Sequence, residues 1–292
     1  VGVLLTPSRS THPMRASRPL LLAICIIPTL LLSGCSERRA SSYIPLLTDP
    51  DPKVRLDASY ALIELEGAAV EPLIAHATGG SDSLLYISSQ ILGRIGNRRA
   101  VPFLRQTAGN ANPSVRKEAV VAMGQMGDQS LVPTLANFLA EDPESQIRVA
   151  AAESLANLRD TLAVPHLVTA LRDTVPLVRQ RALASLQYLW TQKAEKAVLN
   201  ALEDPDETVR FIAAQMLGVH RTSSARDPLC ASLLDTSQWV RAEAARALGI
   251  LGDTTVVENL VHLLEDRDGP DHDAARQALH TLTGMDYVVV EE

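Results

Sequence analysis

Apolar residues recur at helical spacing along most of this chain, and the clearest stretch begins at Trp239 and ends at Asp266. Its first half places apolar side chains three and four residues apart, with Arg and Glu between them, as in an amphipathic helix. Gly252 suits the end of that helix, and Asp253 can accept hydrogen bonds from the amides that open a second helix. The pattern therefore predicts a helical hairpin. Neither helix can bury its apolar face alone, so the hairpin requires a neighbour on each side.

The same hairpin pattern repeats along the chain, with a period of 31 or 32 residues in its regular part. An aliphatic residue followed by Arg marks the first helix of six copies, whose arginines are Arg55, Arg116, Arg148, Arg179, Arg210 and Arg241. Two degenerate copies carry Leu85 and His272 at that position. A repeat of this length predicts stacked hairpins rather than a single globular core. The predicted units are 49–78, 82–108, 110–140, 142–172, 173–203, 204–234, 235–265 and 266–284.

The repeated motifs D-x-x-x-x-V-R and A-x-x-A-L-G resemble HEAT repeats, especially the short bacterial type also found in phycobilin lyases. The closing ALHTLTGMDY is similar to the end cap of that type. The resemblance implies an all-α fold, a right-handed α-solenoid of the armadillo and HEAT class, over residues 43–287. It also implies that the chain binds another protein, because most such solenoids do so and only a few branches are enzymes.

The N-terminal region predicts export and lipidation. Translation is expected to begin at Met14, so that residues 1–13 lie upstream, and residues 20–32 are an apolar run of signal-peptide length. Leu32, Ser33, Gly34 and Cys35 resemble the bacterial lipobox, which implies cleavage after Gly34 and lipid on Cys35. The prediction is a signal peptide at 1–34, a lipidated, unstructured tether at 35–42 and a short tail at 288–292. A short membrane anchor or an ordinary secretory signal is the alternative. Ser36 after the cysteine favours an outer membrane, if the organism has one.

The charge argues against a nucleic-acid partner. The formal net charge is −7, and the first 34 residues hold three Arg and no acid, so the remainder has 24 basic and 34 acidic residues, a balance of −10. A phosphate backbone requires a basic surface. Aromatic residues make up only 3% of the chain, which suits closely packed helices better than a deep cofactor pocket.

No motif in the sequence predicts catalysis, a cofactor or a metal. The chain has neither a G-x-S-x-G nor a G-x-x-x-x-G-K-[ST] motif, and its three cysteines lack metal-ligand spacing. A related HEAT-repeat branch, the deoxyhypusine hydroxylases, binds iron through His-Glu pairs, and no His of this chain precedes Glu. The expected function is thus a scaffold without catalysis. The alternative is an enzyme that resembles the phycobilin lyases or the metal-dependent hydroxylases.

A column of acids stands six residues before the repeated Arg. These pairs are Asp142 and Arg148, Asp173 and Arg179, Asp204 and Arg210, and Asp235 and Arg241. We expect each acid to lie at a turn, where it bonds to Arg or to backbone amides and joins neighbouring units. In the second unit both the acid and the Arg are missing, as expected if each residue of the pair depends on the other as its bonding partner. An Arg ladder that grips an anionic partner is the less favoured interpretation.

One column of the second helices is not explained by the repeat. The positions of this column hold mostly uncharged polar residues, and the positions one helical turn earlier hold a mixture of polar and apolar residues. If second helices line the concave side, these positions form a neutral ledge suited to a peptide or protein edge. The alternative is an ordinary solvated face. The candidate protein-binding residues are His76, Phe103, Gln106, Thr134, Asn137, His166, Thr169, Asn200, Asn259 and His262. The partner's identity and the oligomeric state do not follow from the sequence.

Overall fold

The computed structural model describes residues 36–264 and 269–287, and within them it contains helices and turns without a strand. Helix α1 covers residues 36–43 and is followed by a 3-10 turn at Ile44–Thr48. The first helices of the eight units are α2 Pro52–Glu64, α4 Asp82–Ile95, α6 Pro113–Gln125, α8 Ser145–Asn157, α10 Pro176–Leu186, α12 Glu207–Val219, α14 Gln238–Leu251 and α16 Pro270–Thr283. The second helices are α3 Gly67–Ala77, α5 Val101–Thr107, α7 Val132–Glu141, α9 Val164–Ala170, α11 Gln192–Ala201, α13 Arg226–Ser232 and α15 Val257–His262. The predicted all-α solenoid of eight units is confirmed.

The turn between the two helices of a unit follows from local sequence. In the seventh unit, Gly252 ends α14 with φ 77°, a left-handed conformation that glycine adopts without steric cost. Asp253 then accepts a hydrogen bond from the Thr255 N–H at 2.9 Å and starts a one-turn 3-10 helix. Three of the seven second helices, α5, α7 and α9, have Pro as their second residue, and Pro lacks the N–H that would be unpaired at a helix start. The chain therefore reverses within a few residues.

Small residues let successive first helices approach closely. A Cβ added at Gly124 of α6 would lie 2.5 Å from Ser154 Oγ of α8, so only glycine fits there. The Ser154 hydroxyl in turn donates a hydrogen bond to the Val120 carbonyl at 3.1 Å. Between the two helix layers, Leu and Val from every unit form one continuous apolar core. Each unit therefore buries its apolar faces against its neighbours, as the repeat pattern requires.

The start of the described chain differs from the sequence prediction. Residues 36–43 are helical, whereas the polar composition of 35–42 suggested an unstructured tether. Ala40, Ile44 and Leu47 lie at helical spacing and are buried, so this segment covers the exposed end of the first unit. Residues 1–35 and 288–292 lie outside the described residues, and so do the predicted signal peptide, Gly34, the lipidated Cys35 and the tail. No helix in the described part is both long and apolar enough to span a bilayer.

Candidate functional site

The repeated Asp and Arg form a ladder along the loops that connect one unit to the next. Arg148 binds Asp173 through two parallel hydrogen bonds, from Nε to Oδ2 at 2.7 Å and from Nη2 to Oδ1 at 2.9 Å. Its Nη1 also donates to the Asp142 carbonyl oxygen at 3.0 Å. Asp173 accepts a further bond from the Val175 N–H at 2.8 Å. One guanidinium thus joins the loop that leads into α8 to the loop that leads into α10.

The ion pairs of this ladder join neighbouring units. The pairs are Arg116–Asp142, Arg148–Asp173, Arg179–Asp204, Arg210–Asp235 and Arg241–Asp271. Sequence spacing suggested that each Arg pairs with the acid six residues before it. The structure shows instead that the carboxylate partner comes from the following unit, while the preceding acid offers its backbone carbonyl. The reason is that the loops of neighbouring units lie side by side, so one guanidinium reaches both a carbonyl of its own loop and the carboxylate of the next.

The environment of the ladder keeps its carboxylates ionised. Burial would raise the pKa of Asp173, but hydrogen bonds from Arg148 and from the Val175 N–H outweigh it and lower that pKa below its ordinary value. The pKa of Asp235 is lowered in the same way, against burial, by Arg210 and the Ser237 N–H. Both partners of each pair are therefore satisfied inside the ladder. This arrangement leaves the five arginines little capacity to bind an anionic ligand.

A groove opens on the exposed side of the second helices, between α7 and α9. Its volume is about 770 Å³. We name it the second-helix groove; it is lined by Gln129, Ser130, Val132, Pro133, Ala136, Asn137, Ala140, Leu162, Pro165 and His166. The lining contains no Asp, Glu, Lys or Arg and is mostly apolar. Leu162 is 68% exposed at its edge, an unusual position for a large aliphatic side chain.

The structure distributes the ten predicted ledge residues unequally. Asn137 and His166 come together in the second-helix groove. The remaining exposed members, each on the second helix of its own unit, are His76, Gln106, Thr169, Asn200, Asn259 and His262, and Thr134 is half-buried. Phe103 is a correction, because it is only 6% exposed and packs in the core between the helix layers. The Phe103 side chain is buried, whereas His166 and Asn259 at the equivalent positions of their units are exposed, so Phe103 is not available to a partner.

Leu162 is a groove residue that the sequence reasoning missed, although the repeat register contained the signal. The corresponding positions of other units hold polar residues, namely Arg99, Ser130, Lys193, Ser224 and Thr255. A lone leucine in a polar column of a turn indicates an apolar contact that the fold itself does not need. Column-by-column comparison of all units would have identified it.

The histidines of the second helices do not form a metal site in the described residues. His76, His166 and His262 lie on α3, α9 and α15, three units apart from one another. Within residues 36–264 and 269–287, no three side chains among His, Cys, Asp and Glu lie close enough to hold an ion. The donor set that the hydroxylase alternative would require is thus not found in that part of the chain.

The stacked hairpins, the short turns and the ladder define the class of this protein as an α-solenoid of two-helix units. The family model of HEAT repeats matches residues 70–144, 107–187 and 195–280, which is more than half of the chain. The chain therefore belongs to the HEAT-repeat family.

Similar proteins include both a structure without a stated activity and enzymes. The crystal structure of YibA from Escherichia coli is 20% identical, with a TM-score of 0.59 over 93% of this chain and 99% of that one, which indicates a shared fold. Deoxyhypusine hydroxylase from Candida albicans is 36% identical over 70 residues. That match spans 23% of this chain and 22% of the hydroxylase. The phycocyanin lyase complex of CpcE and CpcF from Nostoc is 20% identical, with a TM-score of 0.41 over 94% of this chain.

Proposed function

We propose that this protein is a scaffold without catalytic activity that binds another protein along the exposed side of its second helices. The second-helix groove carries this proposal, because it combines an apolar floor with a few uncharged polar groups at its rim. Such a composition is typical of a protein-binding surface and is unsuited to a polyanion.

The groove suggests how a partner would be held. An apolar side chain of the partner would lie against the exposed groove residues Leu162, Pro133 and Pro165, and its burial would remove the exposed leucine from water. Asn137 offers both a donor and an acceptor to the backbone of an extended segment, and His166 offers one of each when neutral. The other exposed polar residues of the second helices continue this surface into neighbouring units. If the second helices line the concave side, one partner segment would cross several units.

We further propose that the solenoid is tethered to a membrane through lipid on Cys35. The motif Leu32 to Cys35 supports this tethering. Because helix α1 packs on the first unit from residue 36 onward, an anchor at Cys35 would hold that unit close to the bilayer. An exported lipoprotein would be placed at the outer membrane, if the organism has one, and its partner would be another envelope protein.

Photo-crosslinking in cells tests the binding surface. A photoreactive amino acid at position 162 should give a discrete crosslinked product, whereas the same amino acid at Val219, an equally accessible position on first helix α12, should not. Replacing Leu162 by Glu in the presence of a crosslinker at position 137 should abolish the product, since a charge cannot enter an apolar contact without cost. Thermal unfolding should be unchanged, because Leu162 is exposed. Crosslinking of equal strength from Val219, or a product that persists with Leu162→Glu, would contradict the proposal.

The anchor requires a separate measurement. The Cys35→Ala variant should move from the membrane fraction to the soluble fraction of the cell, because the acyl chains supply the membrane affinity. Fractionation like that of the unchanged protein would argue against lipidation, whereas the crosslinking result would remain valid by itself.

An enzymatic role is the second candidate, supported by the 70-residue match to deoxyhypusine hydroxylase. The described residues provide no cluster of metal ligands for such a reaction. Analysis of the purified full chain for bound iron and for visible absorbance distinguishes the two candidates. A stoichiometric metal or a bound tetrapyrrole would favour the enzyme and count against the scaffold.

A further inference from the structure

The repeat changes character at the junction of the fifth and sixth units. Ten residues after the repeated Arg, the other units place an aliphatic or thioether side chain, as in Leu65, Ile95, Met126, Leu158, Leu189 and Leu251. The sixth unit has His220 there instead. The fifth unit has Trp190 at the turn position where the other units have Gly, Glu or Arg, and the HEAT-repeat match stops at residue 187 and resumes at 195. This junction therefore uses contacts that the rest of the solenoid lacks.

Trp190 and His220 form a stacked pair across this junction. The two ring centroids are 3.7 Å apart and the ring planes differ by 5°. Trp190 follows the 3-10 turn Gln187–Leu189 of the fifth unit, and His220 follows α12 of the sixth, so the stack joins the turns of two units. Elsewhere first helices meet through small residues, as at Gly218, where an added Cβ would lie 2.8 Å from Ala247 Cβ. At the equivalent position of the fifth unit stands Gln187.

The surroundings of His220 suit the neutral ring. Its Nε2 is buried and has no hydrogen-bond partner within the described residues, and the same is true of Thr222 Oγ1 two residues later. The ring also bonds to the backbone of Gln187. A second ring proton would place an N–H in a buried position without an acceptor, which is costly. Burial lowers the pKa of His220 below its ordinary 6.5, and the bond to the Gln187 backbone, which acts in the opposite direction, has the smaller effect.

The charged groups around this junction are engaged elsewhere. Arg221, beside the ring, donates to the Ile250 carbonyl at 3.0 Å; Glu195 on α11 accepts from the Ser224 hydroxyl at 2.8 Å; Arg246 on α14 binds Glu243 at 3.0 Å; and Lys193 on α11 is exposed. None of these charges is among the causes of the shifted pKa, which are burial and the Gln187 bond. The ring would therefore respond to pH itself rather than to a neighbouring ion pair.

We propose that the Trp190–His220 stack is an acid-sensitive latch between the fifth and sixth units. The neutral ring closes the junction, and protonation releases His220 toward solvent and loosens the turn of the fifth unit against that of the sixth. The two parts of the solenoid on either side of the latch then change their relative orientation. This device does not depend on the partner proposed above.

Trp190 fluorescence tests the latch directly. The chain has two tryptophans, so Trp239→Phe leaves Trp190 as the single reporter. Titration of this full-length variant from about pH 8 to about pH 4.5 covers the range where histidine changes charge. The emission should change reversibly with a midpoint below 6.5, while circular dichroism shows that the helices persist.

The matched control is His220→Leu in the same single-tryptophan protein, because Leu occupies this position in most other units. The Trp190 emission of this variant should not change over this pH range. Its thermal stability should decrease less on acidification than that of the parent protein. If the leucine variant does not fold, His220→Gln replaces it as the control, because glutamine has no ring and stays uncharged over this pH range. The latch is refuted by an emission change that survives in either variant, by a midpoint at or above 6.5, or by no change at all.

Discussion

The two edges of the solenoid follow different rules. We call the loops that lead from one unit to the next the ladder edge, and the turns between the two helices of a unit the turn edge. On the ladder edge, Arg116, Arg148, Arg179, Arg210 and Arg241 repeat the same carboxylate contact unit after unit. On the turn edge, the left-handed residue is Gly in some units and Glu66, Arg159 or Arg221 in others, whereas Trp190 of the fifth unit has an extended backbone. One edge fixes the spacing of units, and the other is free to vary.

The physical reason for this difference is burial. Arg179 and Asp204 each expose only 9% of their side chains, so neither can lose its partner without leaving a charge poorly solvated. Ion pairs outside the ladder are more exposed to solvent, as for Arg181 and Glu153, whose side chains are each 50% exposed. Water replaces a lost partner there at little cost. Sequence freedom is therefore greatest where solvent can satisfy the backbone and side chains.

Removal of one ladder arginine should give the largest effect. Arg179→Ala leaves Asp204 buried without its two hydrogen bonds and also frees the Asp173 carbonyl, so we expect a loss of about 3 kcal/mol in the free energy of unfolding. Arg181→Ala, two residues away on the same helix, should cost less than about 0.5 kcal/mol. Urea unfolding of both variants checks the difference. Equal losses would mean that the ladder is no more important than a surface ion pair.

The sequence predicted the units well because the same pattern occurs in eight copies, which can be compared with one another. The helices, their turns and the ladder residues all follow from period and helical spacing. The ladder partner did not follow, since Asp142 and Asp173 are both plausible partners for Arg148, and only the direction of the side chain decides between them. The last pair is less predictable still, because Arg241 binds Asp271, thirty residues on, rather than twenty-five as in the regular units.

The candidate binding surface was less predictable than the fold. The polar column of the second helices followed from the register of the repeat. The groove depends instead on the distance between α7 and α9, and this distance cannot be derived from the residues at any one position of the repeat. Phe103 was misplaced because helical spacing alone does not define where the buried arc ends. Helix α1 was missed because SERRASS has Ala40 as its single apolar residue, and the stability of the helix comes from packing on the first unit rather than from its own composition.

Acid should weaken the ladder edge only at a pH below the range in which we expect His220 to open the latch on the turn edge. A folded-state pKa below the ordinary 3.8 means that Asp173 contributes stability fully above that pH, and that this contribution is lost as pH falls through the lowered value. Asp173→Asn should cost about 1–2 kcal/mol at neutral pH, since a hydrogen bond to a charged group is replaced by a neutral one. Its stability should then fall less steeply below pH 3.8 than that of the parent. Parallel profiles from chemical unfolding at several acidic pH values would contradict this assignment.

Repair of the degenerate second unit should give the smallest effect and is the sharpest test of the ladder. Leu85 stands where Arg belongs, and Asn110 stands where the following unit should supply the acid. Leu85→Arg alone should destabilise, because a half-buried leucine is replaced by a cation that faces an amide. Asn110→Asp alone should destabilise slightly, since it keeps the bond from the Asn112 N–H but replaces the Asn110 amide bond to Asp82 with two facing carboxylates.

The double variant should recover about 1 kcal/mol relative to the sum of the single changes, which is the coupling expected of two groups in contact. Asp82, which now accepts a bond from Asn110 at 3.3 Å, opposes the new carboxylate in the single and the double variant alike, so this repulsion cancels in the coupling. Salt should therefore reduce the coupling, because it screens the attraction between the new Arg and the new Asp. Unfolding of the four proteins of this cycle, at low and high salt, measures the coupling. If the effects of the two single changes on the free energy of unfolding simply add, the ladder contact depends on features of the regular loops beyond the Arg and the Asp. The second unit would then differ from the regular units in more than the loss of this pair.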